Sequence, residues 1–149
     1  MNHNFATAFA PASVGNVAVG FDVLGHAITV IGDRVRATRS SKPGVRITSV
    51  TGITRELPRD AAANTAGRAT QSLLESRRPV WGVELAIEKG IPLGSGLGGS
   101  AASAVAAAVA VNELLEQPLP RSGLLSHAIE GEAVASGSRH ADNVAASLF

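Results

Sequence analysis

The sequence contains no cysteine, which removes a disulfide framework, a thiolate metal cluster and a thiol nucleophile from consideration. An excess of one charge is missing as well. With 13 Lys and Arg against 12 Asp and Glu, the formal net charge is +1 at pH 7, so there is no basic footprint to neutralise a nucleic-acid backbone. Nucleic acid is not expected as a partner. Long hydrophobic runs are also absent: the small apolar stretch 101–111 falls far short of the ~20 residues needed to cross a bilayer, and residues 1–11 hold no basic cluster followed by an apolar run. These absences predict a soluble, cytoplasmic protein with no membrane partner. Aromatic residues make up only 3% of the chain while glycine numbers 16, so the core has to be built from Val, Leu, Ile and Ala in elements that approach closely. A length of 149 residues suits one domain with a sizeable core.

Alternation and turn residues mark the strands. Residues 5–10 are a short apolar opening, and 27–38 carry Ile28, Val30, Ile31, Val35 and Ala37 interrupted by Gly32; both read as strands. The glycine-rich segment 11–25 lies between them. Pro43-Gly44 signals a turn before a strand over 45–50. In 80–88, Val83, Leu85 and Ile87 alternate with Glu84, Ala86 and Glu88, the period of a half-buried strand. Ala66, Ala69 and Leu73 predict a helix over 64–75, with Pro58 and Pro79 outside it. Residues 100–115 hold no glycine or proline and much alanine, which predicts about four turns of helix before Pro118 and Pro120. A further helix is expected over 121–134, ahead of Gly137, and 140–149 is left as a tail. Segregated strands and helices of this kind make an α+β domain.

Pro92-Leu93-Gly94-Ser95-Gly96-Leu97-Gly98-Gly99-Ser100-Ala101-Ala102 places four glycines directly before the alanine-rich helix. Glycine lets phosphate oxygens reach the backbone, and main-chain amides at a helix start favour an anion, so phosphate is the natural ligand. Ser100 stands where a helix N-cap is expected, and capping alone is the alternative for it. The same letters contain G-x-G-x-x-G at Gly94, Gly96 and Gly99, which also fits a dinucleotide-binding turn of an NAD(P)-dependent oxidoreductase. That turn should lead into a second strand, where this chain has Pro118 and Pro120. No Lys-Ser or Lys-Thr follows the last glycine, so the loop is not of the Walker type.

In the helix over 121–134, Leu125, Ala128, Ile129, Glu132 and Ala133 share one face at ~100° per residue, while Glu130 points away. A carboxylate within an apolar stripe needs a cation, either a basic side chain or a metal. Magnesium accepts oxygen from one or two side chains, so the Ser100 hydroxyl and the Glu132 carboxylate form a candidate metal pair.

The glycine loop resembles the phosphate motif of the GHMP kinases, P-x-x-x-G-L-G-S-S-A-A, with Gly99 in place of the first serine and Ser100 as the second. Two more segments resemble the branch of that family that acts on homoserine. Pro11-Ala12-Ser13-Val14-Gly15-Asn16 followed by Gly20-Phe21-Asp22-Val23-Leu24-Gly25 matches its first signature, and Ser136-Gly137-Ser138-Arg139-His140-Ala141-Asp142-Asn143-Val144-Ala145 matches its third, with Ala146 where proline is usual. The likeness covers nearly the whole chain, with the motifs in family order.

What the resemblance implies can be stated residue by residue. Residues 92–102 and Asn64, near the adenine, would bind ATP; Ser100 and Glu132 would hold Mg2+; Asn16, Asp22, His140 and Asn143 would line the pocket for a small-molecule substrate, L-homoserine, whose side-chain hydroxyl receives the phosphoryl group. From the residues alone, Asn16 reads equally as a turn residue, Asp22 as a surface acid, Asn64 as an N-cap and Asp142 as a turn or helix cap. His3, His26 and His127 fit no cluster and read as surface or incidental residues. The implied fold is the family's amino-terminal α+β domain over 1–149, a mixed sheet packed on helices and related to a ribosomal-protein-like unit. Family members continue with a carboxyl-terminal domain about as long again. The chain by itself is therefore expected to turn over weakly or not at all, and to expose apolar surface that favours self-association, a homodimer included. Another kinase of the class, acting on a different alcohol, and a non-catalytic nucleotide-binding domain are the remaining readings.

Overall fold

A computed structural model describes residues 3–15 and 24–149. Four strands and four helices occur among the described residues: β1 (Phe5–Val14), β2 (His26–Ser40), β3 (Val45–Gly52), α1 (Thr65–Arg77), β4 (Gly82–Lys89), α2 (Gly99–Asn112), α3 (Leu125–Ser136) and α4 (Asp142–Leu148). The strands form one sheet in the order β1-β2-β4-β3, with β3 and β4 parallel and the other pairs antiparallel. This is the mixed sheet on helices that the α+β reading predicted. Val83, Leu85 and Ile87 turn inward as their alternation requires, and all three are buried.

The differences from the predicted elements have local causes. β1 runs on through Pro11 to Val14 because it is an edge strand, where a missing N–H is tolerated, and the register with β2 shifts between Pro11 and Ala12. α2 stops at Asn112 instead of reaching residue 115. The Asn112 side chain ends it by accepting from the Leu119 amide at 2.8 Å and donating to the Leu119 carbonyl at 3.0 Å, which turns the chain back before the prolines. A 3-10 turn over Arg121–Leu124 delays α3, and Gly137, at φ 74°, closes it. The tail 140–149 contains α4.

Helix α2 is the centre of the core. It touches β1, β2, α1, α3 and α4, so it has no solvent stripe, and its residues from Ala101 to Ala108 are all buried. Small side chains make such an approach possible. At Gly131 on α3 an added Cβ would overlap the Thr65 carbonyl oxygen and come within 2.7 Å of Ala69 Cβ and 3.0 Å of Ala104 Cβ. The low aromatic content thus has a structural counterpart in close backbone packing. The opposite face of the sheet shows Phe5 and Phe9, which the guanidinium groups of Arg36 and Arg34 cover at 3.9 and 5.3 Å from the ring centres. No helix among the described residues is long and apolar enough to cross a membrane.

His127, read as a surface or incidental residue, makes one specific contact. It is half-buried on α3, and its Nδ1 shares a 2.8 Å hydrogen bond with Ser72 Oγ on α1. Burial pushes the imidazole below its ordinary value of 6.5, and the Glu130 carboxylate offsets only part of that.

Two stability measurements follow from this packing. Gly131→Ala gains about 1 kcal/mol of helix propensity but forces a methyl into backbone at the α1 contact, an overpacking cost of about 1–3 kcal/mol; the backbone clash decides the sign, and urea unfolding should show net destabilisation. For His127, the unfolded chain takes up the proton first as pH falls below about 6.5, so the folded state loses stability through that window and the loss levels off beneath the lowered folded value. Replacing it, His127→Gln, should flatten the melting temperature between pH 7 and pH 5.

Candidate functional site

Residues 90–98 connect β4 to α2, and from residue 94 the backbone alternates in handedness. Gly94, Gly96 and Gly98 adopt φ of 68°, 72° and 62°, while Ser95 and Leu97 between them stay at negative φ. Such alternation turns successive amide hydrogens toward one side and forms an anion-binding hollow. The amides of Gly94, Gly96 and Gly98 have no backbone acceptor among the described residues. A cleft of about 360 Å³ lies against the loop, lined by residues 92–100, Ala135 and Asn143.

Gly98 is where the three sequence motifs meet. A Cβ there would overlap Ser13 Oγ and stand 3.0 Å from Asn143 Oδ1. The Ser13 amide donates to the Leu97 carbonyl at 3.1 Å, and the Ser13 hydroxyl donates to Asn143 Oδ1 at 3.1 Å. Asp142, which the sequence offered as a cap, is instead the first residue of α4; Ala141 holds the cap position, and an added Cβ on Gly15 would overlap the Asp142 carboxylate. The first motif therefore packs on the third, and both press on the glycine loop.

Ser100 is not the N-cap. Gly98 takes that position with left-handed backbone and no side-chain bond, so Ser100 falls on the second residue of α2 and its hydroxyl is free to reach α3. It donates to Glu132 Oε1 at 3.3 Å, and Ser136 donates to Glu132 Oε2 at 2.7 Å. Glu132 is 9% exposed, as the apolar stripe predicted. Its neighbour Glu130 faces outward and pairs with Arg139 at 2.8 Å and Arg68 at 4.0 Å. None of the ion pairs among the described residues includes Glu132. Two hydroxyl donors do not balance a buried carboxylate charge, and a hard cation with oxygen preference fits beside Ser100 and Glu132.

The other predicted residues fall as follows. Asn64 is buried and caps α1: its Oδ1 accepts from the Ala66 and Gly67 amides at 3.0 and 3.2 Å, while its Nδ2 donates to the Pro58 carbonyl at 2.9 Å. Ala101 and Ala102 are fully buried and hold the first turn of α2 on the core. His140 is exposed just before α4, and Asn143 is on α4 itself. Asn16 and Asp22 lie outside the described residues.

Sequence reading missed a buried polar group next to the loop. Asp33 of β2 and Lys89 of β4 form an ion pair with side chains 0% and 2% exposed, and Ser103 of α2 bonds to both. The available signal was an acid and a lysine, each beside a glycine, in β2 and at the end of β4. Ser13 and Ser136 were also missed as polar contacts, although both sit inside motifs that were quoted.

Residues 64–149 match the family described as GHMP kinases N terminal domain. A homoserine kinase of Xylella fastidiosa (strain 9a5c) is 55% identical over 139 residues, which cover 93% of this chain and 43% of that protein. The crystal structure of homoserine kinase from Cytophaga hutchinsonii superposes with a TM-score of 0.93 at 48% identity, over 100% of this chain and 47% of that one. Galactokinase of Lactococcus lactis, at 18% identity and a TM-score of 0.73, covers 99% of this chain and 42% of its own and shares the fold. The chain thus spans under half the length of each of these three relatives.

Gly98→Ala should reveal how tightly the motifs are joined. Left-handed backbone alone costs a non-glycine residue about 1–2 kcal/mol, and Gly137→Ala, equally left-handed with no atom within 4 Å of the added methyl, measures that cost by itself. In urea unfolding the residue 98 variant should lose more stability than the residue 137 variant, the difference being the displaced Ser13–Asn143 contact.

Proposed function

The chain belongs to the GHMP kinase family as its amino-terminal domain, and from that premise we propose that it is the nucleotide- and substrate-binding part of a homoserine kinase. The reaction is transfer of the γ-phosphoryl group of ATP to the side-chain hydroxyl of L-homoserine, giving O-phosphohomoserine and ADP, with the hydroxyl proton released. A bond forms between the hydroxyl oxygen and the γ-phosphorus as the bond from that phosphorus to the bridging oxygen breaks. Such transfer depends on positioning and charge stabilisation more than on covalent chemistry. The observation that carries the reading is the row of left-handed glycines, whose amides have no backbone acceptor among the described residues and which line the same cleft as Ser100 and Asn143.

In this reading residues 92–100 cradle the triphosphate, and Asn64 stands near the adenine while it caps α1. Ser100 and Glu132 would hold Mg2+, which when bound neutralises charge on the phosphate oxygens. Ser136 keeps the Glu132 carboxylate turned toward Ser100. His140 and Asn143, with Asn16 and Asp22, would line the amino-acid pocket, Asp22 suiting the ammonium. Identity near 50% to homoserine kinases favours homoserine over other alcohols, since structures under 20% identical carry the fold alone. The dinucleotide reading fails on topology: no strand follows β4 among the described residues, so the loop opens no second βαβ unit.

Calorimetric titration tests this. The chain should bind MgATP and not NAD; binding of NAD without ATP would discard the kinase reading. Glu132→Gln should weaken MgATP binding about tenfold, the loss of a charge-assisted metal contact, and leave binding of ATP in EDTA unchanged. Titration with L-homoserine, mevalonate and galactose in the same calorimeter should favour L-homoserine, and preference for another of the three would reassign the substrate within the family.

A further inference from the structure

Both ends of the glycine loop are tied to one buried carboxylate. Asp33 Oδ1 accepts from the amides of Gly90 at 3.0 Å and Ile91 at 3.2 Å, the residues that lead into the loop. Its Oδ2 takes the Lys89 ammonium and, at 2.6 Å, the Ser103 hydroxyl. The same ammonium donates to the Gly99 carbonyl at 2.9 Å, where the loop ends, and to Ser103 Oγ at 2.9 Å. Residues 92–98 therefore span between two anchors, Ile91 and Gly99, that meet at the Asp33–Lys89 pair. Neither charged side chain lines the cleft.

We propose that Asp33 is a positioning residue for nucleotide binding: through Lys89 and the Gly90 and Ile91 amides it fixes the separation of the loop's two ends and so the direction of the loop amides. This rests on the kinase reading above. A loop with three left-handed glycines is conformationally soft, and each amide must point at a phosphate oxygen for the group to act together. A buried ion pair adds little net stability compared with apolar side chains of similar size, because desolvation offsets its attraction. What it does supply is direction, since each of its hydrogen bonds is satisfied in one arrangement only. Asp33 thus tunes affinity for a phosphate-bearing ligand that it does not touch.

The test compares Asp33→Asn with Leu73→Ala, a destabilising truncation of a buried core residue on α1 that makes none of the hydrogen bonds anchoring the loop. Two quantities are read in the 149-residue chain: the MgATP dissociation constant and the backbone order parameters of residues 94–98 without ligand. Asp33→Asn should raise the dissociation constant about tenfold and lower the order parameters from about 0.85 toward 0.6, while Leu73→Ala moves neither. The proposal is overturned if a folded Asp33→Asn chain keeps both, or if Leu73→Ala loses both equally. Should Asp33→Asn not fold, Ser103→Ala and the neutral pair Asp33→Asn with Lys89→Met decide on the same two readings, and unchanged loop order in both sinks it. If the unaltered chain binds no MgATP, the kinase reading falls while the order parameters still judge Asp33.

Discussion

Two opposite charges sealed from water, Asp33 and Lys89, tie the paired strands β2 and β4 to the first turns of α2, a helix built mainly of small apolar side chains. Removing both from solvent costs several kcal/mol per ion, so the pair persists only because nearly every polar atom around it is matched. Asp33 receives two amides, a hydroxyl and the ammonium; Lys89 reaches a carbonyl, a hydroxyl and the carboxylate. The first turn of α2 is set by these bonds against β2 and β4. Ser100 sits on that turn, and its approach to Glu132 on α3 is determined by where the turn lies.

Glu132 shows the opposite arrangement. It is buried like Asp33, yet its only hydrogen-bond donors among the described residues are the hydroxyls of Ser100 and Ser136. One acid is compensated inside the protein by two amides, a hydroxyl and an ammonium; the other has, among the described residues, two hydroxyl donors and no ion pair. The contrast between two buried carboxylates within one small domain is the physical ground for the metal role proposed for Glu132.

The parts legible in the sequence were those encoded locally. Alternation in 83–88, the helix spacing of Ala66, Ala69 and Leu73, and the glycines before α2 each express a preference of adjacent residues, and the structure repeats them. Glu132 was legible because its place in an apolar stripe is a property of one helix. Asp33 and Lys89 are 56 positions apart, and nothing in either neighbourhood says that the two strands pair. Ser100 was misplaced as a cap because left-handed backbone at Gly98 starts the helix earlier, and a glycine before a helix does not announce its φ. The extension of β1 through Pro11 was hidden for a related reason: edge position and a register shift depend on the partner strand. The resemblance to a family supplied the joint meaning of the three motifs; their contact at Ser13, Gly98 and Asn143 was visible only in space.

The alanine-rich helix α2 has a consequence for how this domain can change over time. Because neighbours enclose it on every side and no residue in 101–111 exceeds valine in size, nearly every substitution there is an enlargement. Shrinking steps such as Val→Ala leave a small gap, whereas growing steps must push the sheet or a helix aside. A random library across this helix would therefore be expected to retain a narrow alphabet of Gly, Ala, Ser and Val, and diversity elsewhere in the domain would have to arise without moving its axis.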